Sequence, residues 1–316
     1  MKRHQLGAVA LTIGLSAAAL AVVPSAAQAS PVPAAVSAAA IPGVPSTLTC
    51  YWRGKGVTAS GQIIRRSVTY RDGKISVESN PYGPGRLPFV PRTATPPGGV
   101  GGYPFVNDYF AVTSKDGYFY QVSAVGQTSY NDVKVTAKRT AATWGGVRLM
   151  VTAGSYLPSD GQYAYGVHDS GGMYRYIVND APAPHTRVTI NTSGWKGVRT
   201  LSWVRSTTVP GTKRAADVLL ATTSGGQLVE YTIPLDQPTK WTRKDLKPAT
   251  WNVFNYVNQA SCTNGMQNSA TRLLVGVKPS GEVYLYLDKN GNDGSGADLT
   301  GLGRIATGWK DQLFSL

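Results

Sequence analysis

The sequence predicts an all-β fold, on three observations. Short runs alternate apolar and polar residues between Gly-rich turns, helical periodicity is nearly absent, and one hairpin pattern recurs along most of the chain. The clearest copy is "VLLATTSGGQLVEYTIP" (218–234), two strands folded about Ser224-Gly225-Gly226, with glycines supplying the positive φ angles a tight turn needs. Similar stretches are "RDGKISV" (71–77), "KDGYFYQV" (115–122), "SGGMYRYIV" (170–178) and "SGEVYLYL" (280–287). Their shared glycines, Gly73, Gly117, Gly172, Gly226 and Gly281, are spaced by 44, 55, 54 and 55 residues. Two positions after each stands an apolar or aromatic residue: Ile75, Phe119, Tyr174, Leu228 and Val283.

A second marker runs out of phase with the first. "ATWGGVRL" (142–149), "SGWKGVRTL" (193–201), "ATWNVFNY" (249–256) and "TGWKDQLF" (307–314) each place Trp at the head of a predicted strand, with Trp spacings of 51, 56 and 58. One unit therefore holds a Trp-led strand, an apolar strand such as "DVLLAT", the Gly turn, a strand such as "QLVEYTI", and a fourth strand such as "TRVTIN". Four strands in about 55 residues are the period of a β-propeller blade. Residues 46–80 offer three strands but no Trp-led one, while only Lys310–Leu316 follow Trp309. The C-terminal strand is thus expected to complete the first blade, giving five blades of four antiparallel strands and removing two open sheet edges. Six blades is the rival count, and a pair of β-sandwiches would not explain one continuous period.

The ends and the charge set the compartment. Lys2 and Arg3, the apolar run Leu6–Val23 and the small-x-small triplet Ala27-Gln28-Ala29 form a signal-peptide pattern, with cleavage expected after Ala29. A retained membrane span would carry basic residues just after it, but a Pro/Ala-rich leader (30–45) follows instead. Residues 46–316 form one predicted domain of an exported, extracellular protein. Loss of Lys2 and Arg3 takes the net charge from +14 to +12. The basic residues are scattered, without the blocks or motifs of a nucleic-acid binder, so they read as a solvated surface, with an anionic envelope polymer as the alternative partner. Cys50 and Cys262 are an even pair in an exported chain, and a disulfide between them is expected.

Catalytic groups are sparse. The mature chain has two histidines, His168 and His185, and three glutamates, Glu78, Glu230 and Glu282. His168-Asp169-Ser170 lists the members of a hydrolytic triad, but neighbours on a hairpin face alternate sides and cannot bond in series. Glu230 and Glu282 read as a solvent-facing polar repeat on consecutive blades rather than a glycosidase pair. "DKNGNDGSGADL" (288–299) offers Asp288, Asn290, Asn292 and Asp298 as calcium ligands, but Gly is displaced from the sixth position and Leu299 stands where a bidentate acid belongs. A polar turn-rich loop is the favoured reading, and no cofactor is expected.

The Trp-led strand and G-x-[apolar] hairpin, most plainly "GWKGVRTLSW…GGQLVEYTI" and "GWKDQLF", resemble the tachylectin-type lectins across residues 46–316. The resemblance implies a five-bladed propeller that binds N-acetylated sugars without catalysis. Seven Trp and seventeen Tyr suit that role, because flat aromatics stack on the apolar faces of sugar rings while polar neighbours take the hydroxyls. Trp144, Trp195 and Trp251, with Asp169 and Asn252, are the candidate carbohydrate ligands, and packing between sheets is the competing role for each Trp. Residues 81–125 have no Trp, so the second blade is expected to lack a site; the loop 204–217 is also long for the family. A secreted adaptor that holds another protein through one face is the second reading, and a hydrolase or lyase working in the central channel is the third.

Overall fold

A computed structural model describes residues 36–37, 44–94, 98–99, 105–153, 162–178 and 186–315. The expected signal peptide (1–29) lies outside the described residues, as do His185 and most of the leader. Nearly all regular structure is β, in antiparallel meanders that we number I to V.

The two-residue strand β1 (Val36–Ser37) pairs with the edge of meander I, which holds β2 (Leu48–Val57), β3 (Gln62–Arg71) and β4 (Lys74–Arg86). Part of the leader is therefore a strand, where the sequence suggested no partner. In meander II two short pieces, β5 (Thr93–Ala94) and β6 (Gly98–Gly99), both pair with β7 (Val106–Thr113), followed by β8 (Tyr118–Gly126) and β9 (Lys134–Thr143). Meander III is β10 (Val147–Thr152), β11 (Gln162–His168), β12 (Met173–Val178) and β13 (Arg187–Asn191). Meander IV is β14 (Val198–Thr208), β15 (Ala215–Thr223), β16 (Leu228–Pro234) and β17 (Thr242–Lys247). Meander V is β18 (Tyr256–Asn264), β19 (Gln267–Val277), β20 (Val283–Asp288) and β21 (Thr300–Ala306). The last strand, β22 (Gln312–Ser315), returns to pair with the Gly54–Val57 half of β2. It supplies meander I with the strand that its own end of the chain lacks. The other half of β2 pairs with the end of β18, which joins I and V into one nine-stranded sheet.

Burial explains the strand sequences. β15 and β16 are buried on both faces and read as nearly continuous apolar runs, whereas β17, "TRKDLK", is exposed along most of its length. A strand buried on both faces needs a neighbour on each side, and five apolar clusters supply them. One is shared by I and II, one by II and III, one by III and IV, one by IV and V, and one by V and I. The fourth strands carry the charge, such as Lys134, Lys138 and Arg139 on β9. Charged side chains on an edge also discourage pairing with other chains.

Candidate functional site

The repeat is built at the turn between the second and third strand of each meander. Thr58–Gly61, Ser114–Gly117, His168–Gly171, Thr223–Gly226 and Lys278–Gly281 each close with the Gly N–H donating to the carbonyl three residues back, at 2.9 to 3.0 Å. These glycines have φ between 79° and 91°, the left-handed region. Two anchors expected from sequence are thereby corrected. In meander I the repeated glycine is Gly61, because Gly73 lies in the two-residue turn between β3 and β4; in III it is Gly171 rather than Gly172. Likewise, within Ser224-Gly225-Gly226 only Gly226 has positive φ. The spacing is then 56, 54, 55 and 55.

The chain entering the next meander closes over each of these glycines. The N–H of Trp144, Trp195, Trp251 and Trp309 donates to the carbonyl of Gly117, Gly171, Gly226 and Gly281 at 2.7 to 3.0 Å. Leu87 does the same to Gly61 at 2.8 Å and so takes the position of the Trp missing from residues 81–125. The tryptophans stand in these connections, a few residues before their strands rather than at the strand head.

Each Trp ring then packs on the side chain five residues beyond a turn glycine. Trp144 stacks on Tyr176 (4.2 Å between centroids), while Trp195 and Trp251 lie tilted against Tyr231 (4.3 Å) and Tyr286 (4.7 Å). Trp309 meets the Arg66 guanidinium at 4.9 Å, and Leu87 shares a cluster with Val122. Trp144, Trp195 and Trp251 are only 2 to 5% exposed, so the ring faces proposed for sugar stacking are already covered by protein. Their assignment as ligand contacts is corrected to packing between meanders. Asn252 is exposed beside Trp251, its amide donating to the Ser224 carbonyl at 3.4 Å. Asp169 is exposed on the meander III turn and accepts from Arg92 through both carboxylate oxygens at 2.6 Å.

Around that turn the structure brings His168 together with Tyr174, Tyr176 and Arg187. His168 Nε2 lies 2.5 Å from Tyr176 Oη and its ring meets Tyr174 edge-on at 4.7 Å; Ser170 is not its partner. Arg187 reaches across from β13 to lie over the Tyr174 ring at 4.4 Å. Burial, then Arg187, lowers the His168 pKa; burial also raises Tyr176 to about 12. Meander V repeats the frame with other residues. Lys278 lies 4.4 Å over Tyr284 and donates to its hydroxyl at 3.2 Å, while Glu282 accepts from Arg304 at 2.8 Å and from Ser280 at 3.1 Å. Tyr174 and Tyr284, three residues past their glycines, are half-buried and present aromatic surface that the tryptophans do not. The offset from the turn glycine is the signal that finds them.

Within the strands, behind the turns, three junctions carry buried polar contacts that differ from one another. Between I and II, Lys55 Nζ pairs with Asp108 at 3.0 Å, and Tyr82 also donates to Asp108. Burial outweighs that carboxylate and lowers Lys55 to about 8. Between III and IV, Tyr165 donates to Asp217 at 2.6 Å. Between IV and V, Arg272 bonds Glu230 and also Asp288, the latter at 2.7 and 2.8 Å. Glu230 is therefore buried, not a solvent-facing partner of Glu282, and the two stand four residues and one residue past their turn glycines.

The same contact involves the first residue of the calcium candidate: Asp288 is fully buried with the Arg272 guanidinium against it. Asn292 donates its amide N–H to Asn290 and Asn290 donates its own to Asp288, as in successive turns, and Asp298 is hydrogen-bonded to Asp288. Among the described residues no group of three or more His, Cys, Asp or Glu side chains is arranged to hold a metal ion.

Cys50 and Cys262 are bonded, as expected, across directly paired positions of β2 and β18. No helix among the described residues is long and apolar enough to cross a membrane. No protein-family model matches the chain, and no curated protein matches it.

Proposed function

We propose that the five meanders are blades of a five-bladed β-propeller of the tachylectin type, and that the mature chain is an exported, non-catalytic carbohydrate-binding protein. The cyclic sharing of apolar clusters, from I and II round to V and I, supports the propeller, as does the return of β22 to β2. The signal-peptide pattern and the Cys50–Cys262 bond support export.

One observation carries the binding role: the same glycine turn, roofed by the same connection, recurs five times with exposed polar residues upon it. The half-exposed rings of Tyr174 and Tyr284 replace the buried tryptophans as stacking surfaces in this reading, with Asp169, Asn252 and Ser280 among the polar neighbours. Repeated sites bind a dense surface intramolecularly once the first engages, and avidity gains of about 10²–10⁴ are typical. Retention of the mature protein on immobilised N-acetylated glycans, and its release by free sugar only at far higher concentration, is the expected result. Absence of retention on any glycan surface would refute the carbohydrate reading.

Phe105 and Tyr109 of meander II, each about half exposed, favour the adaptor as the second reading, since large exposed aromatics mark protein-binding surfaces. A stoichiometric protein partner insensitive to free sugar would establish it.

A further inference from the structure

In an Asn-Gly dipeptide the side-chain amide reaches the next backbone nitrogen with least hindrance, because glycine has no Cβ and turns freely. The sequence holds two, Asn264-Gly265 and Asn290-Gly291. The fold gives them opposite surroundings.

Asn290-Gly291 is held. The Gly291 N–H donates to the Ala270 carbonyl at 2.8 Å, and the Gly291 carbonyl accepts from Arg205 Nη1 at 2.9 Å. Gly291 is buried, and an added Cβ would lie 2.6 Å from the Arg272 side chain. Asn290 donates its backbone N–H to Asp288, and its Oδ1 accepts from the Asn292 N–H. The peptide turns only after those bonds open.

Asn264-Gly265 is open. Asn264 pairs with Gln267, so Gly265 and Met266 form a two-residue turn between β18 and β19, with Gly265 at φ +60°. All four residues are exposed, and nothing lies within 4 Å of an added Gly265 Cβ. Among the described residues neither the Gly265 N–H nor Asn264 Nδ2 has a hydrogen-bond partner. Asn264 Oδ1 accepts from Thr47 Oγ at 2.5 Å, which draws electron density from the amide carbon.

We infer that Asn264 is a self-modifying site at the seam between meanders V and I. The Gly265 nitrogen loses its proton to water and bonds to Asn264 Cγ. The Cγ–Nδ2 bond breaks, and ammonia leaves with a proton taken from solvent. A cyclic imide results, favoured because the reacting atoms belong to neighbouring residues. Water then opens the ring. Attack at Cγ leaves aspartate, and attack at the main-chain carbonyl carbon leaves isoaspartate, whose backbone is one atom longer. Either product puts a carboxylate opposite Leu48 of β2, two residues from the Cys50–Cys262 bond.

The test is incubation of the full mature protein in warm, mildly alkaline buffer, followed by peptide mass spectrometry that separates aspartate from isoaspartate. Asn264 is expected to convert at least about tenfold faster than Asn290, because the Gly291 peptide must first break two hydrogen bonds. In urea the two rates should converge, since only the fold sets these dipeptides apart. Gly265→Ala returns a Cβ beside the reacting nitrogen and should slow conversion at Asn264 while Asn290 is unchanged. Asn264→Gln keeps the turn glycine but needs a larger ring, and should show almost no conversion at that position. Equal rates in the folded protein, a difference that persists in urea, or undiminished conversion in either variant overturns the inference.

Discussion

The turns and the interiors of the strands hold the meanders together in different ways. At the turn end every junction uses the backbone: a left-handed glycine offers its carbonyl, and the next connection donates an N–H to it. Within the strands three junctions have their own side chains, Lys55 with Asp108 in one, Tyr165 with Asp217 in another, Arg272 with Glu230 in a third. A backbone contact asks only for Gly and a tolerated neighbour, so it can be repeated with little constraint on sequence. Buried charges must be matched pair by pair, and that matching gives each junction a distinct identity. The turns thus set the common architecture, and the matched side chains within the strands distinguish one junction from another.

Breaking the matched contacts within the strands is expected to cost most. Arg272→Met leaves Glu230 and Asp288 buried without their cation, and removal of one partner from such a network costs about 3–5 kcal/mol. Urea unfolding measures it, and adding Glu230→Gln and Asp288→Asn should recover much of the loss. A cost below about 1 kcal/mol for the single substitution would mean that solvent reaches the network.

Lys55 gives the next effect, and its sign is unusual. Burial lowers its pKa from 10.5 to about 8, so between those values the unfolded chain binds more protons than the folded one. Stability therefore rises with pH from about 8 toward 10, by up to about 3 kcal/mol, before tyrosine ionisation intervenes. Lys55→Met should flatten this part of the profile in thermal melts across pH 7 to 10.

At the repeated turns the expected effect is smaller and local. Gly226→Ala places an L-residue at φ +91°, with its Cβ 3.0 Å from the Thr250 nitrogen, whereas the neighbouring Gly225 has no such angle. A loss of about 1–2 kcal/mol is expected for Gly226→Ala and under 1 for Gly225→Ala. Equal losses would show that backbone conformation is not what selects glycine here.

Legibility in the sequence follows the same division. Gly117, Gly226 and Gly281 were readable because backbone geometry forces glycine at a fixed period. Gly61 in "TASG" does not stand out because Arg71-Asp72-Gly73 mimics the other turns, and in "DSGG" the sequence alone does not show which glycine turns left-handed. Trp144, Trp195 and Trp251 were readable as a repeat, but their burial depends on Tyr176, Tyr231 and Tyr286, which lie 32 to 36 residues downstream. Arg272 and Glu230, 42 residues apart, carry no period at all and surfaced only when the strands were placed side by side.

The pairing of β22 with β2 has a consequence in time. Synthesis runs from β2 to β22, so the Gly54–Val57 edge is made roughly 255 residues before the strand that covers it. At about 5–20 residues per second, that edge waits unpaired for some tens of seconds while four further meanders emerge. The Arg66 guanidinium waits with it, since Asp311, its 2.6 Å partner, also belongs to the final stretch of chain. The first meander begun is thus the last one finished, and a ribosome stalled anywhere before Asp311 leaves a chain whose opening sheet is still seeking a strand.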